Sequence, residues 1–148
     1  DNPPNKGLEG ITVDPLSGTI FVVVEGRPRL LISISPDLSK ILDATLLSRE
    51  LGFTSPHADD EDLDVSGLAW SAETSDLWIV SDTGRRGFIF DPAQRTTKAF
   101  DLAYARDGET KTIKNAEGIA LDEAGERLFI LTDDGKKSRL FVFRMPVF

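Results

Sequence analysis

Acidic side chains return at one fixed place in this sequence. An acid falls fifteen positions after a glycine three times: Glu25 after Gly10, Asp82 after Gly67, and Asp133 after Gly118. The residues just before those glycines are Glu9, Ser66 and Glu117. If each glycine opens a strand and each acid closes its hairpin partner, a turn centred near residue 17 sets Glu9 opposite Glu25. By the same count Ser66 faces Asp82 and Glu117 faces Asp133. Two of the three pairs then place like charges side by side, which is unfavourable unless something offsets it. A bound cation would do so, and carboxylate and amide oxygens are hard ligands that suit Ca²⁺. The metal-ligating set would be Glu9, Glu25, Asp82, Glu117 and Asp133, with Asn5 and Asn115 near enough in sequence to contribute. Neighbouring bases offer another offset: Arg27, Arg29, Arg85, Arg86, Lys136, Lys137 and Arg139 follow the acids, and Lys6 and Lys114 flank the first strands. Such partly exposed ion pairs are each worth little.

Other chemistry has less to stand on. In the run Asp59-Asp60-Glu61-Asp62-Leu63-Asp64 the acids at Asp60, Asp62 and Asp64 imitate the first ligands of a calcium loop. The sixth position is Val65 rather than Gly, and the twelfth is Ser71 rather than Glu, so the pattern fails twice. A solvated acidic loop is the expectation. His57, the one histidine, lies in the same loop beside Pro56 and is read as inert. No Gly-x-Ser-x-Gly elbow and no phosphate-binding P-loop occurs. Cysteine is absent, which removes disulfides, thiolate metal sites and a cysteine nucleophile. The net charge of −8, with Lys and Arg scattered, argues against nucleic acid, because a phosphate surface needs a basic stripe.

The elements that must hold these residues form a repeat. GITVDPLSGTIFVVVE from Gly10, GLAWSAETSDLWIVSD from Gly67 and GIALDEAGERLFILTD from Gly118 align without a gap, at intervals of 57 and 51 residues. Each unit reads as a short strand (Ile11 to Val13, Leu68 to Trp70, Ile119 to Leu121), a polar turn, and a β-branched or aromatic strand. Those second strands are Ile20 to Val24, Leu77 to Val80 and Leu128 to Leu131. Third strands follow at Leu30 to Ile34, Phe88 to Phe90 and Leu140 to Phe143. Weaker fourth strands are expected around Ile41 to Leu47 and Thr97 to Leu102 only. Four-stranded units every ~40 to 50 residues are the sequence signature of propeller blades.

The second strands are apolar on both faces, as a sheet covered on both sides requires. The first strands carry small residues at mid-strand, Thr12, Ala69 and Ala120, as expected if they crowd round a narrow axis. Trp70 and Trp78 align with apolar residues in the other units and are expected in the core. An ordinary sandwich of duplicated hairpins is the competing architecture. The fold expected is all-β: three tandem four-stranded antiparallel blades of a β-propeller, half of a six-bladed ring, the third blade lacking its outer strand. The blade repeats run approximately 5–56, 57–110 and 111–148 within one partial propeller domain. With 40% hydrophobic and 28% charged residues this is a globular composition. No apolar run approaches the ~18 residues that span a bilayer. The chain starts at Asp1 without an initiator Met, which suggests that an upstream segment, a signal or an anchor, has been removed. Three blades do not close a ring of usual size, so a fragment of a longer chain, or two copies completing six blades as a homodimer, is expected.

At NKGLEGITVDP, DVSGLAWS and NAEGIALDEAGERLFILTDD the sequence resembles the SdiA-regulated (YjiK-like) family of six-bladed propellers. It is similar, more distantly, to the esterase-like domains associated with phytases. The resemblance runs from about Asn5 to Arg144 and corresponds to half of a family member. It implies a propeller exported or tethered outside the cytoplasm, with no well-established enzymatic reaction. The function expected is a non-catalytic extracytoplasmic module that binds a ligand or protein partner on its loop-rich face. The alternative is a Ca²⁺-dependent hydrolase of esterase or lactonase type, with Glu9, Glu117 and Asp133 in its metal shell.

Overall fold

A computed structural model of the chain describes residues 7–148. Asn5 and Lys6, named above, lie outside the described residues. Four antiparallel strands form the first sheet in sequence order: β1 (Leu8–Val13), β2 (Ile20–Val24), β3 (Leu30–Ile34) and β4 (Ile41–Leu46). The second repeats that order with β5 (Gly67–Ser71), β6 (Asp76–Ser81), β7 (Arg86–Asp91) and β8 (Thr96–Asp101). A small hairpin, β9 (Ala103–Arg106) and β10 (Glu109–Thr112), leads to a three-stranded sheet of β11 (Ala116–Asp122), β12 (Arg127–Thr132) and β13 (Leu140–Arg144). These three meandering sheets are propeller blades. The β9–β10 hairpin had no signal in the repeat, since it falls in the connection where the units differ most.

Local chemistry explains the hairpins. The residue closing each first strand organises its turn: the Asp14 carboxylate accepts from Leu16 and Ser17 N–H, Ser71 Oγ from Thr74 N–H, and Asp122 from Gly125 N–H. Four residues after each lies a left-handed residue at the same repeat position: Gly18 (φ 72°), Ser75 (φ 58°) and Glu126 (φ 52°). Only the first uses glycine, so the other two turns carry a conformation that costs a side chain roughly 1–2 kcal/mol.

Blades stack through alternating faces. Phe21, Val23 and Leu31 of the first blade meet Leu68, Leu77, Ile79, Phe88 and Phe90 of the second. The opposite face of the second blade gives Ala69, Trp78, Val80 and Ile89 to a second core shared with Leu128 and Ile130. Both tryptophans lie in these cores, Trp70 stacked on Phe21 with ring centroids 5.1 Å apart and Trp78 tilted over Phe100. The connection between the first two blades is also core, because Leu47, Phe53, Leu63 and Val65 are buried in it.

Thr12 and Ala69, two of the small first-strand residues, lie at blade junctions. Blade sheets stand radially, so side chains perpendicular to them point at neighbouring blades. Thr12 Oγ1 accepts a hydrogen bond from Trp70 N–H (3.1 Å), and Ala69 packs in the second core. Their smallness lets adjacent first strands touch. A Cβ added at Gly67 would lie 2.9 Å from Val80 Cγ2 and 3.1 Å from the Glu117 carbonyl oxygen. At Gly118 the nearest atom would be Leu131 Cβ, at 3.3 Å. Gly67→Ala is therefore expected to destabilise by about 1–3 kcal/mol in urea denaturation, because backbone cannot move aside as a side chain can. Gly118→Ala should cost clearly less.

Candidate functional site

The expected facing of the acids is not what the strands make. Gly10 pairs with Val23 and Gly118 with Leu131, and the register slips between Leu8 and Gly10 and between Ala116 and Gly118. Glu9 and Glu117 are the extra residues of β-bulges, with no residue directly opposite. Glu25 N–H instead donates to the Gly7 carbonyl (3.1 Å), and Asp133 N–H to that of Asn115 (2.9 Å). In the second blade Ser66 N–H donates to Val80, while its hydroxyl donates to the Ala116 carbonyl (2.6 Å). Ser66 thus does not face Asp82 either. The count from the turn failed because it presumed an unbroken ladder, and a bulge re-aims the residue it inserts.

The acids nevertheless share one electrostatic neighbourhood. Burial raises the Glu117 carboxyl above the ordinary range, and the charges of Asp82, Asp64, Glu9 and Asp133 raise it further. Asp82 is raised as well, first by burial and then by Asp64. Hydrogen bonds from Asn115 and Ala116 N–H and the charge of Arg85 work against that rise. Three of the other expected ligands, Glu9, Asp82 and Asp133, thus lie within electrostatic range of Glu117. Asp64 joins them, although the sequence had left it in a solvated loop. The signal was present, since Asp64 stands three residues before Gly67 as Asn115 stands three before Gly118. Asp64 Oδ1 accepts from Ser81 Oγ (2.6 Å), Thr83 N–H (3.1 Å) and Thr83 Oγ1 (2.9 Å), which fixes it at the edge of the group.

Three of the flanking bases are paired elsewhere. Arg27 pairs with Glu61 and Asp62, and Arg86 with Asp101 and the Thr54 carbonyl. Arg29 is buried and holds the acidic connection from inside. Arg139 reaches Tyr104 Oη and lies over the Phe141 ring. Among the described residues no ion pair joins Glu9, Asp82, Glu117 or Asp133 to a base; Arg85 acts on Asp82 only through its field. His57 is exposed, its N–H bound to Ser55 Oγ in a turn. Among the described residues, no three His, Asp or Glu side chains converge as a ready metal shell. Beside the acids lies a hollow of ≈ 150 Å³ whose wall carries both signs, from Lys114, Arg139 and Asp134, with Tyr104 and Asn115. Asn115 joins the two places: its N–H binds Asp82 and its side-chain amide binds Asp134.

The raised carboxyl sets a pH dependence. A folded pKa above the unfolded one means that Glu117 contributes stability at pH below its unfolded value, and that this is lost as pH rises through the folded pKa. At neutral pH the charge is a burden. Glu117→Gln is expected to gain about 0.5 kcal/mol at pH 7, a like-charge effect reduced by solvent, or about 1–2 °C in melting temperature. The gain should vanish near pH 4, where the wild-type carboxyl is protonated. Melting curves at the two pH values check this.

Comparison with known proteins agrees with the fold. A chain in a crystal structure of a nidogen/laminin complex superposes with a TM-score of 0.65 at 14% identity. The match covers 96% of the present chain and 46% of that one, so the present chain spans under half its length. At that identity the likeness speaks for the architecture alone. No curated protein sequence matches. The model of one family, SdiA-regulated, matches residues 1–134. Repeat, blades and motif match thus agree, and the chain belongs to the SdiA-regulated family.

Proposed function

We propose that this chain is a non-catalytic β-propeller module that binds a small ligand on its loop-rich face. The ligand carries a cationic group for the acid cluster and an anionic group for Lys114 and Arg139. One observation carries the reading: the charges of Asp82, Asp64, Glu9 and Asp133 all bear on the Glu117 carboxyl, while Arg27, Arg29 and Arg86 are paired elsewhere. A cation placed there relieves repulsion that the empty face bears, so ligand charge converts directly into affinity. The adjoining two-signed hollow favours a zwitterion over a polyanion. On the family resemblance, the module works outside the cytoplasm. Among the described residues no helix is long and apolar enough to cross a membrane.

The raised Glu117 carboxyl favours one second reading, a calcium-assisted hydrolase with a channel carboxylate as base. Since no three acids converge among the described residues, a cation held by Glu117 and Asp82 would need other oxygens to complete its shell. Calorimetry separates the two readings. Dipeptides with a lysine side chain should bind, and Glu117→Gln should weaken them about ten-fold, the loss of one charge-assisted contact. Binding indifferent to that substitution would remove the acid cluster as the site. Calcium binding at millimolar concentration, lost in Glu117→Gln and accompanied by ester or lactone cleavage, would favour the hydrolase.

A further inference from the structure

The hollow beside the acid cluster holds two bases that pair with no carboxylate, although a carboxylate lines the same wall. Lys114 and Arg139 form no ion pair among the described residues, and Asp134 stands in that wall with them. The hollow belongs to the junction of the second and third blades. Ile113 and Phe141 in its wall also pack in the core that those two blades share.

Hydrogen bonds explain why the bases stay open. The Asn115 side-chain amide donates to Asp134 Oδ1, and Asp134 N–H donates to Ser138 Oγ (2.9 Å). A neutral partner thus holds a carboxylate for which a base would be the stronger one. Asn115 is itself fixed, because its backbone is left-handed (φ 56°) and its N–H donates to the Asp82 carboxylate. Arg139 is anchored as well. Its N–H donates to Thr132 Oγ1 (3.0 Å), and its guanidinium lies 5.6 Å from the Phe141 ring centroid and donates to Tyr104 Oη (3.3 Å). Having accepted from Arg139, the Tyr104 hydroxyl keeps its own proton to donate, and no acceptor among the described residues takes it. A guanidinium fork, an ammonium and a phenol O–H therefore line one hollow of ≈ 150 Å³.

We infer that this hollow is a carboxylate seat, which Asn115 keeps open by holding Asp134 off Lys114 and Arg139. The inference deepens the binding role proposed above and rests on it for the ligand's cationic end. Charge selects the anion. Two bases against Asp134 leave one net positive charge in the wall, which matches a monoanion. A phosphate dianion would carry twice the charge into the field of the neighbouring acids and is penalised for it. The flat guanidinium also suits a planar carboxylate.

The test titrates N-acetylglycine, a carboxylate with no cationic group, and separately inorganic phosphate, while backbone amide NMR shifts are followed. N-acetylglycine is expected to shift the amides of Asn115 and Arg139 saturably, and to bind more tightly than phosphate at neutral pH. Asn115→Gly tolerates the left-handed backbone and keeps the N–H for Asp82, so it removes only the tether on Asp134. It should weaken N-acetylglycine about ten-fold, as Asp134 turns to the bases. Asp134→Asn should then gain clearly more in the Asn115→Gly chain than in the wild type, a coupling that a merely structural Asn115 does not produce. Unchanged tryptophan fluorescence checks folding. Should Asn115→Gly misfold, Arg139→Gln serves in its place, with a loss of about ten-fold expected. No binding of N-acetylglycine by the wild type overturns the inference, and so does tighter binding of phosphate. Full affinity in Asn115→Gly, or in Arg139→Gln, overturns it too, as does an equal gain from Asp134→Asn in both backgrounds. Lysine dipeptides that fail to bind while N-acetylglycine binds would remove the two-signed ligand and leave the seat standing.

Discussion

Phe88→Ala is expected to lower stability by about 3–5 kcal/mol, the largest effect of any single substitution considered. Phe88 is fully buried on the face of the second blade that meets the first, with its ring centroid 4.9 Å from that of Phe53. Phe53 comes from the connection between the blades, so the removed ring served a three-way contact of two sheets and a loop. Lost transfer free energy supplies part of the effect. The cavity supplies the rest, because two sheets held by their own ladders cannot collapse onto it. Phe88→Leu keeps most of the volume and should cost under about 1.5 kcal/mol. Urea unfolding followed by tryptophan fluorescence measures both. A loss below about 1 kcal/mol for the alanine variant would mean that the blades do not depend on this shared core.

Arg29→Met is expected to cost about 2–4 kcal/mol, through hydrogen bonds more than through charge. Arg29 is 8% exposed, and its guanidinium donates to the carbonyls of Leu47 (3.2 Å), Leu63 (3.0 Å) and Asp60 as well as to the Asp60 carboxylate (2.8 Å). Methionine keeps the apolar stem but leaves buried carbonyls without a donor. Asp60→Asn removes only the ion pair, whose carboxylate is 54% exposed, and should cost under about 1 kcal/mol. The contrast between the variants is the test. Equal losses would mean that the ion pair, not the backbone carbonyls, dominates. Limited proteolysis gives a second readout, since the segment from Asp59 to Asp64 should become cleavable in Arg29→Met alone.

Arg29 also shows how a sequence misleads. By position it belonged with the bases that neutralise blade-corner acids, and it turned out to be an internal tie for the acidic connection. The run of acids was read as solvated, and Asp59, Asp60, Glu61 and Asp62 are indeed exposed, yet Asp60 also pairs with Arg29 and Asp64 acts on Glu117. Conversely, the strand limits Ile20–Val24 and Leu30–Ile34 were legible to the residue, because apolar β-branched runs between polar turns have no other stable home. The β9–β10 hairpin was not, since its polar strands Glu109–Thr112 and Ala103–Arg106 carry no hydrophobic period.

Taken alone, the sequence determined the blades: repetition of a glycine, a turn and a two-faced apolar strand is local information, and it recurs in three copies. It also determined which residue types cluster at the corners. Only tertiary structure decided which carboxylates meet. A bulge at Glu9 and Glu117 shifts every pairing beyond it, and such a slip depends on how neighbouring first strands pack, a contact made across more than fifty residues of chain.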